Sequence, residues 1–97
     1  MNLEKSKIET INNYFRTRPL LKAYLFGSYV RGEADSESDI DILVELDYSK
    51  KIGLQFIQMK IDLEKILHTK VDLITSNGIS KYIKPFIDNE KQLIYAK

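Results

Sequence analysis

Apolar side chains fall in short separated groups along this chain, and their spacing alternates between a helical and a strand period. Between residues 3 and 17, Ile8, Ile11 and Phe15 recur at intervals of three and four, which predicts an amphipathic helix that Pro19 helps to end. LLKAYLF, residues 20–26, is brief, apolar and partly aromatic and runs into Gly27, as a buried strand stopped by a tight turn would. The following stretch to Ser38 is too hydrophilic for a core and reads as a short helical turn and an exposed loop. DIDILVEL, residues 39–46, places Ile40, Ile42 and Val44 on one face by period two and predicts a second strand. Over residues 52–67, Phe56, Met59, Leu63 and Leu67 return to helical spacing. KVDLIT, residues 70–75, predicts a third strand closed by Ser76-Asn77-Gly78. The remainder reads as a helix containing or opening at Pro85, with a short segment at Leu93 to Tyr95 that fits a strand. This order predicts an α/β or α+β fold in which a small mixed sheet is flanked by helices.

Composition narrows the class. A chain of 97 residues fits one domain spanning residues 1–97, and 43% hydrophobic residues supply a core of modest size. Fifteen basic and fourteen acidic side chains nearly cancel, so the molecule lacks the positive field of a protein that grips many phosphates, and direct nucleic-acid binding is not expected. There is no cysteine and hence no disulfide or thiolate metal site. No signal-peptide pattern or run of 18 apolar residues is present. The expectation is a cytoplasmic protein with no membrane partner.

The chemistry concentrates in two places. Asp39 and Asp41 lie two apart at a strand start, so their carboxylates share one face roughly 6.5 Å apart at the backbone. Two such charges repel, and one takes up a proton at raised pKa unless a cation intervenes. Mg²⁺ suits that pair, because it prefers oxygen ligands and accepts few protein carboxylates when phosphates and water complete its shell. Asp72, between Val71 and Leu73, would face the same side if the third strand pairs beside the second. Three carboxylates could then hold two ions around a phosphoryl or nucleotidyl displacement. Gly27-Ser28 supplies the complementary feature: glycine lets backbone approach a ligand, while serine can cap the next turn and offer a hydroxyl and an N–H to a phosphate. Arg31 could either contact a phosphate oxygen or hold the loop through an acidic neighbour.

Gly-Ser, ten residues, then Asp-x-Asp resembles the signature of the DNA polymerase β-like nucleotidyltransferase superfamily. The context LFGSYVRGEADSESDIDILVEL followed by KVDLIT is similar to its minimal nucleotidyltransferase branch, which includes the MntA-type antitoxins. The resemblance implies that Gly27 and Ser28 hold the nucleotide triphosphate, that Asp39 and Asp41 are the catalytic metal-binding pair, and that Asp72 is the third carboxylate. It further implies ATP as substrate, Mg²⁺ as cofactor with two ions, and a HEPN-type ribonuclease toxin as partner in a hetero-oligomer. Such antitoxins silence the toxin by transferring AMP to one of its tyrosines.

Other readings stand beside this one. The same chemistry could act on a small molecule or an RNA end, although 97 residues leave little beyond a catalytic core to bind such an acceptor. A non-catalytic antitoxin that only covers a toxin has no need of three like charges on one face. No P-loop pattern occurs. His68 at the end of the long helix fits an ordinary helix terminus. Lys50, Lys51, Lys81 and Lys84 fit solvated faces better than RNA contacts, and Tyr82 and Tyr95 fit core packing better than docking.

Overall fold

A computed structural model describes residues 3–97. Helix α1 (Lys5–Phe15) leads into strand β1 (Leu20–Phe26), the one-turn helix α2 (Ser28–Arg31) and strand β2 (Ile40–Leu46). Helix α3 (Gln55–Leu67), strand β3 (Val71–Thr75), a 3₁₀ turn (Ser76–Gly78), helix α4 (Lys84–Glu90) and strand β4 (Gln92–Ala96) follow. The strands form one mixed sheet in the order β3-β2-β1-β4. β1 runs antiparallel to both β2 and β4, whereas β2 and β3 are parallel. A parallel pair needs a long crossover, and α3 is that crossover.

Period two sorts the sheet into two unlike faces. Ile40, Ile42, Val44 and Leu46 of β2, with Ala23 and Leu25 of β1 and Val71 and Leu73 of β3, point into the main core. Ile11 and Phe15 of α1 and Met59, Leu63 and Leu67 of α3 close over them, each no more than 4% exposed. Every such side chain contributes roughly 1.5–3 kcal/mol by leaving water, which is why these two helices hold although neither has a side-chain N-cap. Tyr95 of β4 belongs to this core as well, its ring centroid 6.0 Å from that of Phe15.

The opposite face carries Phe26, Asp41 and Asp72 in one row and Tyr24, Leu43 and Ile74 in the next. Leu43 is buried there although it lies outside the main core, as is Ile87 of α4. Two ties orient the helices. Tyr14 on α1 donates its hydroxyl to Asp62 on α3 at 2.5 Å. Burial first and then that bond push the phenol up to about 12. Glu64 of α3 accepts the N–H of Val71 at 3.0 Å and so fixes where β3 begins. Among the described residues no helix is long and apolar enough to cross a membrane.

Candidate active site

Strand pairing brings the sequence-distant acids together. In the parallel β2–β3 ladder Asp41 lies directly opposite Asp72, so their Cα atoms are neighbours across a spacing of about 4.8 Å and their side chains share a face. Asp39 stands just before β2, where the sequence suggested the strand already begins. Its chain is brought in by a compact turn in which Asp35 accepts the N–H of Glu37 at 2.9 Å, while Ser38 Oγ accepts the N–H of Asp35 at 2.9 Å. The N–H of Ile40 then joins the carbonyl of Lys70 at 2.9 Å, which starts the β2–β3 pairing one residue beyond Asp39.

Electrostatics register the convergence. The carboxyl of Asp41 is pushed up to about 6, first by burial and then by the negative charges of Asp72 and Asp39; Arg31 opposes the rise and Glu90 adds to it. Asp41 is half-buried while Asp39 and Asp72 are exposed, so Asp41 bears most of the cost of the cluster. Among the described residues no three acidic or histidine side chains are gathered so that they could hold a metal ion as they stand. The donor set is nevertheless all carboxylate oxygen, which suits a hard divalent cation, and the strain concentrated on Asp41 is what such a charge would relieve.

Gly27 closes the other side. It is buried, its φ is +81°, and a Cβ there would collide with Oδ2 of Asp41 and lie 3.0 Å from Cγ. Only glycine meets both conditions. Gly27 itself, and not Ser28, is the N-cap of α2, and Ser28 makes no side-chain cap bond. That corrects the expectation of a serine cap. The Gly27 carbonyl accepts the N–H groups of Val30 and Arg31 at 3.0 and 3.1 Å, and Gly32, at φ +75°, ends the turn.

Of the two roles open to Arg31, the structure displays the acidic-neighbour one. Its Nε donates to Glu33 at 3.2 Å, and its Nη1 donates to both carboxylate oxygens of Glu90 at 3.1 and 3.0 Å. Glu90 also accepts the N–H of Gly27 at 2.9 Å. Sequence reasoning passed over Glu90, which lies 63 residues from Gly27 in an unremarkable charged tail. Only the pairing of β4 with β1 could have pointed to it.

His68 is the C-cap of α3 with φ 53°, and it lines a cleft of about 450 Å³ with Ser36, Glu37, Ser38, Asp39, Thr69 and Lys70. His68 thus stands at the helix end, where the sequence put it, and it also borders Asp39. Tyr82 is 76% exposed, against the expectation of core packing that Tyr95 fulfils. Lys84 pairs with Asp88 at 2.7 Å.

Residues 9–97 match the family model described as Polymerase beta, Nucleotidyltransferase. A protein of Methanocaldococcus jannaschii, provisionally named a protein adenylyltransferase, is 49% identical over 74 residues, covering 74% of this chain and 72% of the relative. A solved structure provisionally described as a minimal nucleotidyltransferase superposes with a TM-score of 0.80 at 26% identity, covering 95% of each chain. A toxin–antitoxin crystal structure with AMP-PNP has a chain of the same fold, with a TM-score of 0.74 at 24% identity over 98% of this chain and 75% of that one. On this coverage and identity the chain belongs to the polymerase β nucleotidyltransferase family and is a nucleotidyltransferase of its minimal branch.

Proposed function

We propose that the protein transfers AMP from ATP to a tyrosine hydroxyl of a HEPN-type toxin and so acts as its antitoxin. The observation that carries this reading is the facing of Asp41 and Asp72 across adjacent strands, with Asp39 two residues away and the Gly27 turn against Asp41. The provisional name of the M. jannaschii relative supports adenylyl transfer, and the toxin–antitoxin structure with AMP-PNP supports a nucleotide and a toxin as partners.

In this reading Asp39, Asp41 and Asp72 would hold magnesium, which supplies Lewis-acid stabilisation of the phosphate oxygens when bound. The residues of the chain do the rest. The Gly27–Ser28 turn would receive the triphosphate on its backbone, and the absence of a side chain at Gly27 is what lets that turn pack directly against the Asp41 carboxylate. Asp72 is exposed at the rim, where an incoming hydroxyl can deliver its proton to the carboxylate. The tyrosine oxygen forms its bond to the α-phosphorus as the bond to the pyrophosphate oxygen breaks, and pyrophosphate leaves. Little covalent chemistry is asked of the chain, so that positioning for in-line attack does most of the work.

A protein acceptor suits the shape of the domain. The chain builds little beyond the sheet and its helices, and the segment entering α4 exposes Tyr82, Ile83 and Phe86 by 76%, 53% and 73%. A partner that presents its own hydroxyl can rest on such a surface, whereas a small molecule has no enclosing wall there.

The experiment is incubation of the purified protein with ATP labelled at the α-phosphate, Mg²⁺ and a HEPN-type toxin as acceptor. Label should appear on the toxin and vanish in Asp39→Asn and when the acceptor tyrosine is changed to phenylalanine. Toxin inhibited without label would replace this reading with a purely binding antitoxin.

A further inference from the structure

Glu90 occupies a place that its sequence neighbours do not explain. It is the last residue of α4, and β4 begins two residues later, its Gln92 paired with Leu25 of β1. That pairing carries Glu90 to the end of β1, where the chain turns at Gly27. One carboxylate oxygen accepts both the Gly27 N–H, at 2.9 Å, and Arg31 Nη1, at 3.1 Å; the second oxygen accepts the same Nη1 at 3.0 Å. A single side chain therefore holds the first residue of the turn and the last residue of α2. Glu90 is 22% exposed and Arg31 is 46% exposed, so the acid is the more enclosed partner.

Gly27 is the residue against which Asp41 packs. Its backbone approaches Asp41 so closely that a methyl group cannot be added. Any shift of Gly27 therefore moves the wall that fixes the Asp41 carboxylate. Gly27 is also buried, so its N–H has no water to turn to and depends on Glu90 for a partner. The link from α4 to the acids runs through two contacts, Glu90 to Gly27 and Gly27 to Asp41.

We propose that Glu90 is a positioning residue for nucleotidyl transfer, clamping the Gly27–Arg31 turn in the shape that receives the triphosphate and aligns Asp41. This rests on the adenylyl-transfer reading given above. Its corollary is that Arg31 serves the turn through Glu90, its guanidinium being satisfied by carboxylates before any phosphate arrives.

The test compares wild type, Glu90→Ala and Glu90→Gln for transfer of labelled AMP to the HEPN partner, with kcat and the KM for ATP measured separately and the melting temperature recorded. Glu90→Ala is expected to lower kcat/KM by about 100-fold, since misplacement by about 1 Å costs that much, with kcat bearing most of the loss. Glu90→Gln keeps an oxygen for Gly27 and Arg31, and should recover to within about ten-fold of wild type, one charged contact having become neutral. Hydrogen exchange at the Gly27 amide should quicken in Glu90→Ala and stay slow in Glu90→Gln. A merely structural contact would lower the melting temperature of Glu90→Ala and leave kcat and KM of the folded enzyme at wild-type values, which overturns the proposal. A lower KM for ATP in Glu90→Ala also overturns it, because Glu90 would then be an anion that the nucleotide must displace. Should Glu90→Ala not fold, Glu90→Asp keeps the charge and withdraws it by one methylene: a fall of about ten-fold or more supports the clamp, and a wild-type rate overturns it. Wild type that transfers no label would defeat the adenylyl-transfer reading itself, whereas active wild type with an equally active Glu90→Ala defeats the clamp alone.

Discussion

Gly27 is the residue on which the geometry of the site turns. Its positive φ and the nearness of Asp41 leave no room for a Cβ, so Gly27→Ala must either strain the turn or push Asp41 aside. The expected outcome is a folded protein, destabilised by about 1–3 kcal/mol, whose AMP transfer falls by about 100-fold. Circular dichroism and a transfer assay check both halves. Asp41 carries the opposite prediction for stability. Its carboxyl is raised from 3.8 to about 6, so the folded state binds that proton more tightly than the unfolded chain does. The associated stability is complete below pH 3.8, is lost as pH rises through about 6, and leaves Asp41 a liability at neutral pH. Asp41→Asn should therefore abolish transfer and yet melt higher than wild type at pH 7.5 in the presence of a chelator. Water reaches Asp41 and screens its neighbours, so the gain is about 1 kcal/mol, or about 4–8 °C in a domain of this size. The gain should shrink towards zero at pH 4. A variant that melts lower at every pH would show that Asp41 has a structural task and no unrelieved repulsion.

The elements explain what the sequence made legible. Strand β1 follows from LLKAYLF because a short apolar run between Pro19 and Gly27 has no other way to be buried. Helix α3 follows from Met59, Leu63 and Leu67, whose helical spacing survives in the core they form. That Asp72 shares a face with Asp41 required that β3 pair beside β2 with Val71 and Leu73 inward, and period two then gives the face, whereas the register that sets the two directly opposite comes from the strand pairing itself. Glu90 was illegible for the opposite reason. Its contacts are made across a sheet, by the pairing of β4 with β1, and no local periodicity records a long-range pairing. His68 shows the same limit at short range. The helix end was visible, but the left-handed backbone at φ 53° was not. A non-glycine residue in that conformation costs about 1 kcal/mol, so His68→Gly should raise stability by about that amount. Transfer should be unchanged if the imidazole only ends the helix. Lost activity in a more stable variant would instead make His68 a participant in the cleft it lines with Asp39.

For the whole molecule, binding and folding draw on one free energy. Domains of this length are held by only several kcal/mol, and this one keeps three acids close enough to raise Asp41 while exposing large apolar side chains such as Leu54, at 80%. A ligand that neutralises the acids acts on the folded state alone, because the unfolded chain does not bring Asp39, Asp41 and Asp72 together. Saturation to about 100 times Kd then adds about 2.7 kcal/mol. In a domain of this size that is a rise of about 11–22 °C in melting temperature. AMP-PNP with Mg²⁺ should produce the rise, and excess chelator should reverse it. Mg²⁺ alone should give a smaller rise, since phosphate oxygens are needed to complete its shell. Asp39→Asn should respond weakly to the pair, having lost one of the carboxylates that gather the cation, while its own melting temperature without ligand stays at or above that of wild type. An equal rise with AMP-PNP in chelator would show that the nucleotide binds without metal. In that case the carboxylates would be repelling the triphosphate unaided, and the cation-bridged arrangement would have to be abandoned.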